Sequence, residues 1–132
     1  MGLKYLWDTN IVIYYLQNQL SKSGEEFIDN TALNFQPTIS VITEIELLCW
    51  SAANQTDITL INNFLDNSII YGLDNNIKLK TIEVRKIFKL KLPDAIIAAS
   101  AIINDHTLIS RNLIDFKKVA SLSVIDPFTG NG

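Results

Sequence analysis

A chain of 132 residues that is 48% hydrophobic and 19% charged can bury a core of its own, which excludes a disordered protein. A net charge of −3 argues against binding nucleic acid through bulk positive charge. The lone Cys49 excludes an internal disulfide and suits a reducing cytoplasm, and no apolar run is long enough to span a bilayer. No cleavable leader is expected, since Lys4 is the single basic residue before Asp8 and there is no cleavable apolar stretch.

In chain order, Leu3 to Trp7 reads as a buried strand of a parallel sheet. Thr9 or Asn10 then caps a helix carrying Ile11, Ile13, Tyr14 and Leu16. After a break at residues 21–24, Ser23 and Glu26 form a capping box for a short helix burying Phe27, Ile28 and Leu33. Residues 37–41 read as a second strand, with Pro37 at its start. Thr43 to Glu46 opens a helix with Leu47, Leu48 and Trp50. Ile58, Ile61, Phe64 and Leu65 mark another by their helical spacing.

Residues 68–71 read as a third strand. Asp74 caps a helix with Ile77, Thr81, Val84 and Phe88 on one face. Pro93 suits the first turn of the next helix, whose run from Ala95 to Ile103 is apolar nearly all round and so is buried on more than one side. Residues 107–110 and 122–125 complete the strands, and a flexible tail is expected from residue 127 to 132. Alternating helix and strand signals without a linker or repeat predict one α/β domain over residues 1–132.

Four acids fall at comparable places. Asp8 follows the first strand, Glu46 lies in the helix after the second, Asp94 begins the buried helix, and Asp115 lies in a polar loop past the fourth strand. In a doubly wound sheet these positions share one crevice at the carboxyl ends of the strands. Carboxylates gathered there repel one another unless cations intervene. Oxygen ligands suit Mg²⁺ or Mn²⁺, and such ions can stabilise the attacking and leaving oxygens of a phosphodiester cleavage. Each acid also has a plainer reading. Asp8 can start a helical turn, Glu46 can close a Thr43-x-x-Glu46 capping box, Asp94 can favour the helix dipole, and Asp115 can simply be solvated.

The sequence resembles the PIN-domain ribonucleases, most closely the VapC-type toxins of toxin–antitoxin pairs. The likeness is carried by Leu6-Trp7-Asp8-Thr9-Asn10, by Ser40 to Leu47, by Lys91 to Ala99, by Leu108-Ile109-Ser110-Arg111-Asn112, and by Asp115-Phe116, in order along the whole chain. Glu44 and Glu46 are both candidate acids, and the family pattern Ser-x-x-Thr-x-x-Glu-Leu selects Glu46. The resemblance implies that Asp8, Glu46, Asp94 and Asp115 hold Mg²⁺ or Mn²⁺ and carry the catalysis. Asn10, Ser110 and Asn112 match positions that hydrogen-bond the acids or water, with Ser110 in place of the commoner threonine. It further implies an α/β/α sandwich on a five-stranded parallel sheet of order 3-2-1-4-5. The implied activity is RNA cleavage by metal-activated water, leaving 5′-phosphate and 3′-hydroxyl ends. The implied partners are a cognate antitoxin and a second copy in a homodimer.

Six of the eleven basic residues (Lys78, Lys80, Arg85, Lys86, Lys89 and Lys91) crowd the segment before Asp94, opposed only by Glu83, and would steer an RNA backbone or form an ordinary solvated face. Two rivals fit less well. A receiver-type signalling domain wants an acidic pair after the first strand and a lysine after the fifth, where this chain has Trp7-Asp8-Thr9 and Asp126-Pro127. A catalytically silent PIN-like binding module would lack one of the acids, and all four are present. Trp7 and Trp50 are expected in the core, Cys49 as a small buried hydrophobe, and His106 exposed in a turn.

Overall fold

The computed structural model describes residues 4–30, 36–50 and 54–129. In chain order the elements are β1 (Tyr5–Trp7), α1 (Thr9–Leu16), α2 (Lys22–Asn30), β2 (Thr38–Ser40), α3 (Val41–Trp50), α4 (Gln55–Asp66), β3 (Ile69–Tyr71), α5 (Asn75–Phe88), α6 (Leu92–Ile103), β4 (Thr107–Ile109), α7 (Leu113–Phe116) and β5 (Val124–Ile125). Among them no helix is long and apolar enough to cross a membrane.

All strand pairs are parallel. The ladders form two pieces, β1-β4-β5 and β2-β3, and β2 lies beside β1 without a regular ladder between them. The expected 3-2-1-4-5 sheet is therefore traced in part, with a seam between its second and third positions. Alternation along the strands builds the layers, because successive side chains point to opposite faces. Leu6 and Leu108 join Val84, Leu90, Ala98 and Phe116 on the face covered by α5, α6 and α7. Trp7 and Ile109 join Ile11, Ile28, Leu47 and Phe64 on the face covered by α1 to α4. The result is an α/β/α sandwich.

Helix starts obey local chemistry in some places and tertiary demands in others. Asp74 caps α5, its carboxylate accepting from the Ile77 amide at 2.8 Å, and Pro93 sits in the first turn of α6. From Ala95 to Ala101 every residue of α6 is buried. The cap of α1 is Asp8 rather than Thr9 or Asn10; its Oδ1 accepts from the Thr9 amide at 2.9 Å. For α2 it is Ser21 whose hydroxyl accepts from the Gly24 amide, at 3.1 Å, so the Ser23–Glu26 box does not open that helix. Ser23 lies inside the helix and donates to the Phe128 carbonyl. Leu33, expected beside Phe27 and Ile28, lies outside the described residues.

Three expectations about single residues are overturned. Cys49 is exposed, and Trp50 is 37% exposed, because the last turn of α3 faces outward. His106 is buried at 8% exposure, its Nε2 paired with the Tyr71 hydroxyl at 2.8 Å, which draws the turn inward. Residues 127–129, assigned to the flexible tail, are packed: Pro127 is buried, and Phe128 meets the Tyr14 ring edge-on at 5.2 Å.

Candidate active site

Asp8 ends β1 at the carboxyl edge of the sheet. Its amide continues the ladder by donating to the Ile109 carbonyl at 2.9 Å, which fixes its backbone against β4. Its side chain is 6% exposed and each oxygen accepts one hydrogen bond: Oδ1 from the Thr9 amide, and Oδ2 from the Ser110 hydroxyl at 2.7 Å. Thus one carboxylate both caps α1 and reaches across to the end of β4.

Helix α3 starts at Val41, two residues before Thr43, with the Ser40 hydroxyl accepting from the Ile42 amide at 3.1 Å. Thr43 and Glu46 therefore lie inside the helix, and the capping-box reading of Glu46 falls. Glu46 Oε1 instead accepts from the Thr9 hydroxyl at 2.6 Å, and Thr9 shares a 3.0 Å hydrogen bond with the buried hydroxyl of Thr43. Thr9 and Thr43 are site residues that sequence reasoning missed as such. Thr9 carried a capping role and Thr43 a helix-start role, and the only signal was their recurrence in the motifs around Asp8 and Glu46.

Asp94, in the first turn of α6, completes the group. Asp8, Thr9, Asn10, Ile13, Glu46, Trp50, Asp94 and Asn112 line one cleft of ≈ 270 Å³. Glu44, the competing glutamate, is not among the lining residues. Asp115 stands outside this lining and lies in α7 rather than in a loop. Asn112 caps that helix and donates from Nδ2 to Asp115 Oδ2 at 3.1 Å, while Lys118 lies 3.4 Å from Oδ1.

The electrostatics follow from burial and like charge. Burial pushes the Asp8 carboxyl up to about 6. Its hydrogen bonds from Ser110 and Thr9 pull the other way, and the charges of Asp94 and Glu46 add to the rise. Asp94 is raised by burial, then by Glu46 and Asp115, with Lys91 opposing. Asp115 is held below the usual carboxylate range by its hydrogen bonds from Asn112 and Lys118. At both Asp8 and Asp94, neighbouring carboxylates thus add to the rise that burial begins.

Among the described residues, no three His, Cys, Asp or Glu side chains are gathered tightly enough to cage a metal ion. Carboxylate and amide oxygens face the cleft, and no thiolate or imidazole lines it. That donor set lacks the sulfur and nitrogen ligands typical of a zinc site. It fits Mg²⁺ or Mn²⁺, since Mg²⁺ takes one or two protein carboxylates and keeps much of its water.

Fold and site together define a parallel-sheet α/β/α protein with an acidic, oxygen-lined cleft where β1 and β4 end. The chain belongs to the PIN domain family, whose profile matches residues 5–122. A chain of a toxin–antitoxin complex from Klebsiella pneumoniae is 28% identical, with a TM-score of 0.78 over 94% of this chain and 98% of that one. A chain of VapBC2 from Rickettsia felis, bound to a promoter DNA fragment, is 24% identical, with a TM-score of 0.78 over 93% and 98%. A chain of DNA-bound VapBC from Salmonella typhimurium is 22% identical, with a TM-score of 0.80 over 96% and 99%. No curated protein matches the chain significantly.

Proposed function

We propose that this PIN domain is a divalent-metal-dependent endoribonuclease acting as the toxin of a toxin–antitoxin pair in the cytoplasm. The observation that carries the reading is the opening of Asp8, Glu46 and Asp94, from three separate elements, onto one cleft. Buried acids whose pKa is raised further by neighbouring carboxylates call for a cation, and a phosphodiester brought to that cation is the fitting substrate. When bound, Mg²⁺ or Mn²⁺ supplies activated water and neutralises charge developing on the phosphate.

The chain's own residues supply position. Ser110 and the Thr9 amide keep Asp8 ionised and in one orientation, Thr9 holds Glu46, and α6 presents Asp94. Asn10 lines the same cleft and offers its amide to water or substrate, while Asn112, also in the lining, directs its amide to Asp115. Asp115, tethered by Asn112, adds charge at the rim and is the remaining candidate ligand. Arg85 and Lys86 on α5 and Lys89 just past its end line a groove of ≈ 470 Å³ with Leu92, two residues from Asp94, which supports guidance of a polyanion toward the cleft.

The antitoxin half of the reading draws on the Klebsiella pneumoniae complex. It is also supported by Ile45, 50% exposed on α3, and by Trp50 at the wall of the acidic cleft. An apolar segment bearing an arginine would satisfy both features, and a homodimer is the proposed state of the toxin. Brief expression followed by transcriptome-wide mapping of new RNA 5′ ends tests the nuclease. Discrete new 5′-phosphate ends are the expected result, and an unchanged map would contradict it. Growth arrest relieved by co-expressing a small neighbouring protein tests the pairing.

A further inference from the structure

Arg111 is not among the residues lining the acidic cleft, yet it lies between two that build it. Ser110 bonds Asp8, and Asn112 lines the cleft and tethers Asp115. The guanidinium carbon stands 3.9 Å over the centre of the Phe128 ring, and Nε lies 3.5 Å from Asp126 Oδ2. Phe128 is itself held from three sides: its amide donates to Asp126 Oδ1 at 2.9 Å, its carbonyl accepts from Ser23, and its ring meets Tyr14 edge-on. Tyr14 follows Ile13, another cleft residue. Arg111 and the residues that seat it thus adjoin cleft residues in the chain, after β4 on one side and along α1 on the other.

Neutralising buried Asp126 uses only one edge of the guanidinium. Among the described residues no hydrogen bond is made by its terminal nitrogens, and the side chain is 44% exposed. The aromatic face and the carboxylate fix the plane of the group and shield one side from water, which prepares the free edge for a bidentate acceptor. A ring and a guanidinium side by side are also the means by which proteins hold unpaired nucleic-acid strands.

We propose that Arg111 is the phosphate clamp of the acidic cleft. Its terminal nitrogens bind a backbone phosphate of a single RNA strand next to the phosphate held at the acids, while Phe128 and Asp126 set its orientation. This rests on the nuclease reading and adds to it the residue that anchors the strand.

The test uses binding of a short fluorescein-labelled single-stranded RNA of mixed sequence, followed by anisotropy in the Asp94→Asn background so that the probe is not turned over. Asp126 is kept in every protein, so that the guanidinium stays oriented, and Arg111→Lys is measured beside Arg111→Gln because it keeps a cation by the buried carboxylate but loses the bidentate fork. Arg111→Gln is expected to weaken affinity about tenfold and to reduce the slope of log affinity against log salt by about one. Affinity is read below the melting temperature of every variant, so that loss of the Asp126 and Phe128 partner in Arg111→Gln does not enter it. Equal affinity and equal slope, with wild-type protein cleaving bulk RNA in Mg²⁺, would overturn the clamp and leave the nuclease standing. Wild-type protein that neither cleaves bulk RNA nor binds the probe would overturn both.

Discussion

The Ser110 hydroxyl donates to Asp8 Oδ2 at 2.7 Å, joining the ends of β1 and β4 across 102 residues of sequence. Hydrogen bonding to the charged form opposes the burial that drives Asp8 upward. Ser110→Ala should therefore raise the Asp8 pKa further and shift the acid limb of kcat/KM to higher pH. A loss of about tenfold in activity is expected, as for removal of a hydrogen bond to a charged group. An unshifted acid limb in a pH–rate profile would show that Ser110 does not tune Asp8.

Glu44 and Glu46 are two residues apart on α3, and their directions differ by roughly 200° on a helix. Only Glu46 lines the cleft and meets Thr9. Glu46→Gln should abolish RNA cleavage, while Glu44→Gln should keep most of it. Thr9→Val should fall between them, because it frees Glu46 without removing its charge. Single-turnover cleavage rates of the three purified variants give the ordering, and a Glu44→Gln protein as inactive as Glu46→Gln would reverse the assignment.

The raised pKa of Asp8 makes metal-free stability fall with rising pH. Its folded value, about 6, lies above the ordinary 3.8, so the folded state holds the proton more tightly than the unfolded chain does. The contribution is fully present below 3.8 and is lost by about 6, a change on the order of 3 kcal/mol. Asp8→Asn removes this titration. In EDTA, the stability of Asp8→Asn relative to wild type should thus climb as pH rises through that window. Chemical denaturation at several pH values measures it, and a flat difference would mean that Asp8 is not held against its charge.

What could be read from the sequence was whatever depends on neighbours a few residues apart. The Asp74 cap, the Pro93 start and the all-round apolar run of α6 are of this kind. Position at strand ends and helix starts brought Asp8, Glu46, Asp94 and Asp115 to attention together, and the family pattern chose Glu46 over Glu44. What failed was decided at long range. Ser23 and Thr43 match capping boxes, yet Ser23 is claimed by a carbonyl 105 residues away and Thr43 by Thr9. His106 is drawn inward by Tyr71, 35 residues earlier. Cys49 and Trp50 follow Leu47 on the same helix, and only the packing of α3 against α1 and α6 decides which of them faces out.

The central claim is that the acids of this cleft cleave RNA through a divalent cation, and Asp94→Asn tests it most directly. Wild-type protein is expected to cleave bulk RNA in Mg²⁺ or Mn²⁺, to stop in EDTA and to recover when the ion is restored. Asp94→Asn is expected to remain folded and inactive under all of these conditions. In EDTA its unfolding free energy should exceed that of wild type by about 1 kcal/mol, since one of the repelling charges is gone. Mg²⁺ should stabilise wild type more than the variant, because binding to the native state adds stability by mass action. Undiminished cleavage by purified Asp94→Asn protein, or wild-type cleavage that survives EDTA, would contradict the account.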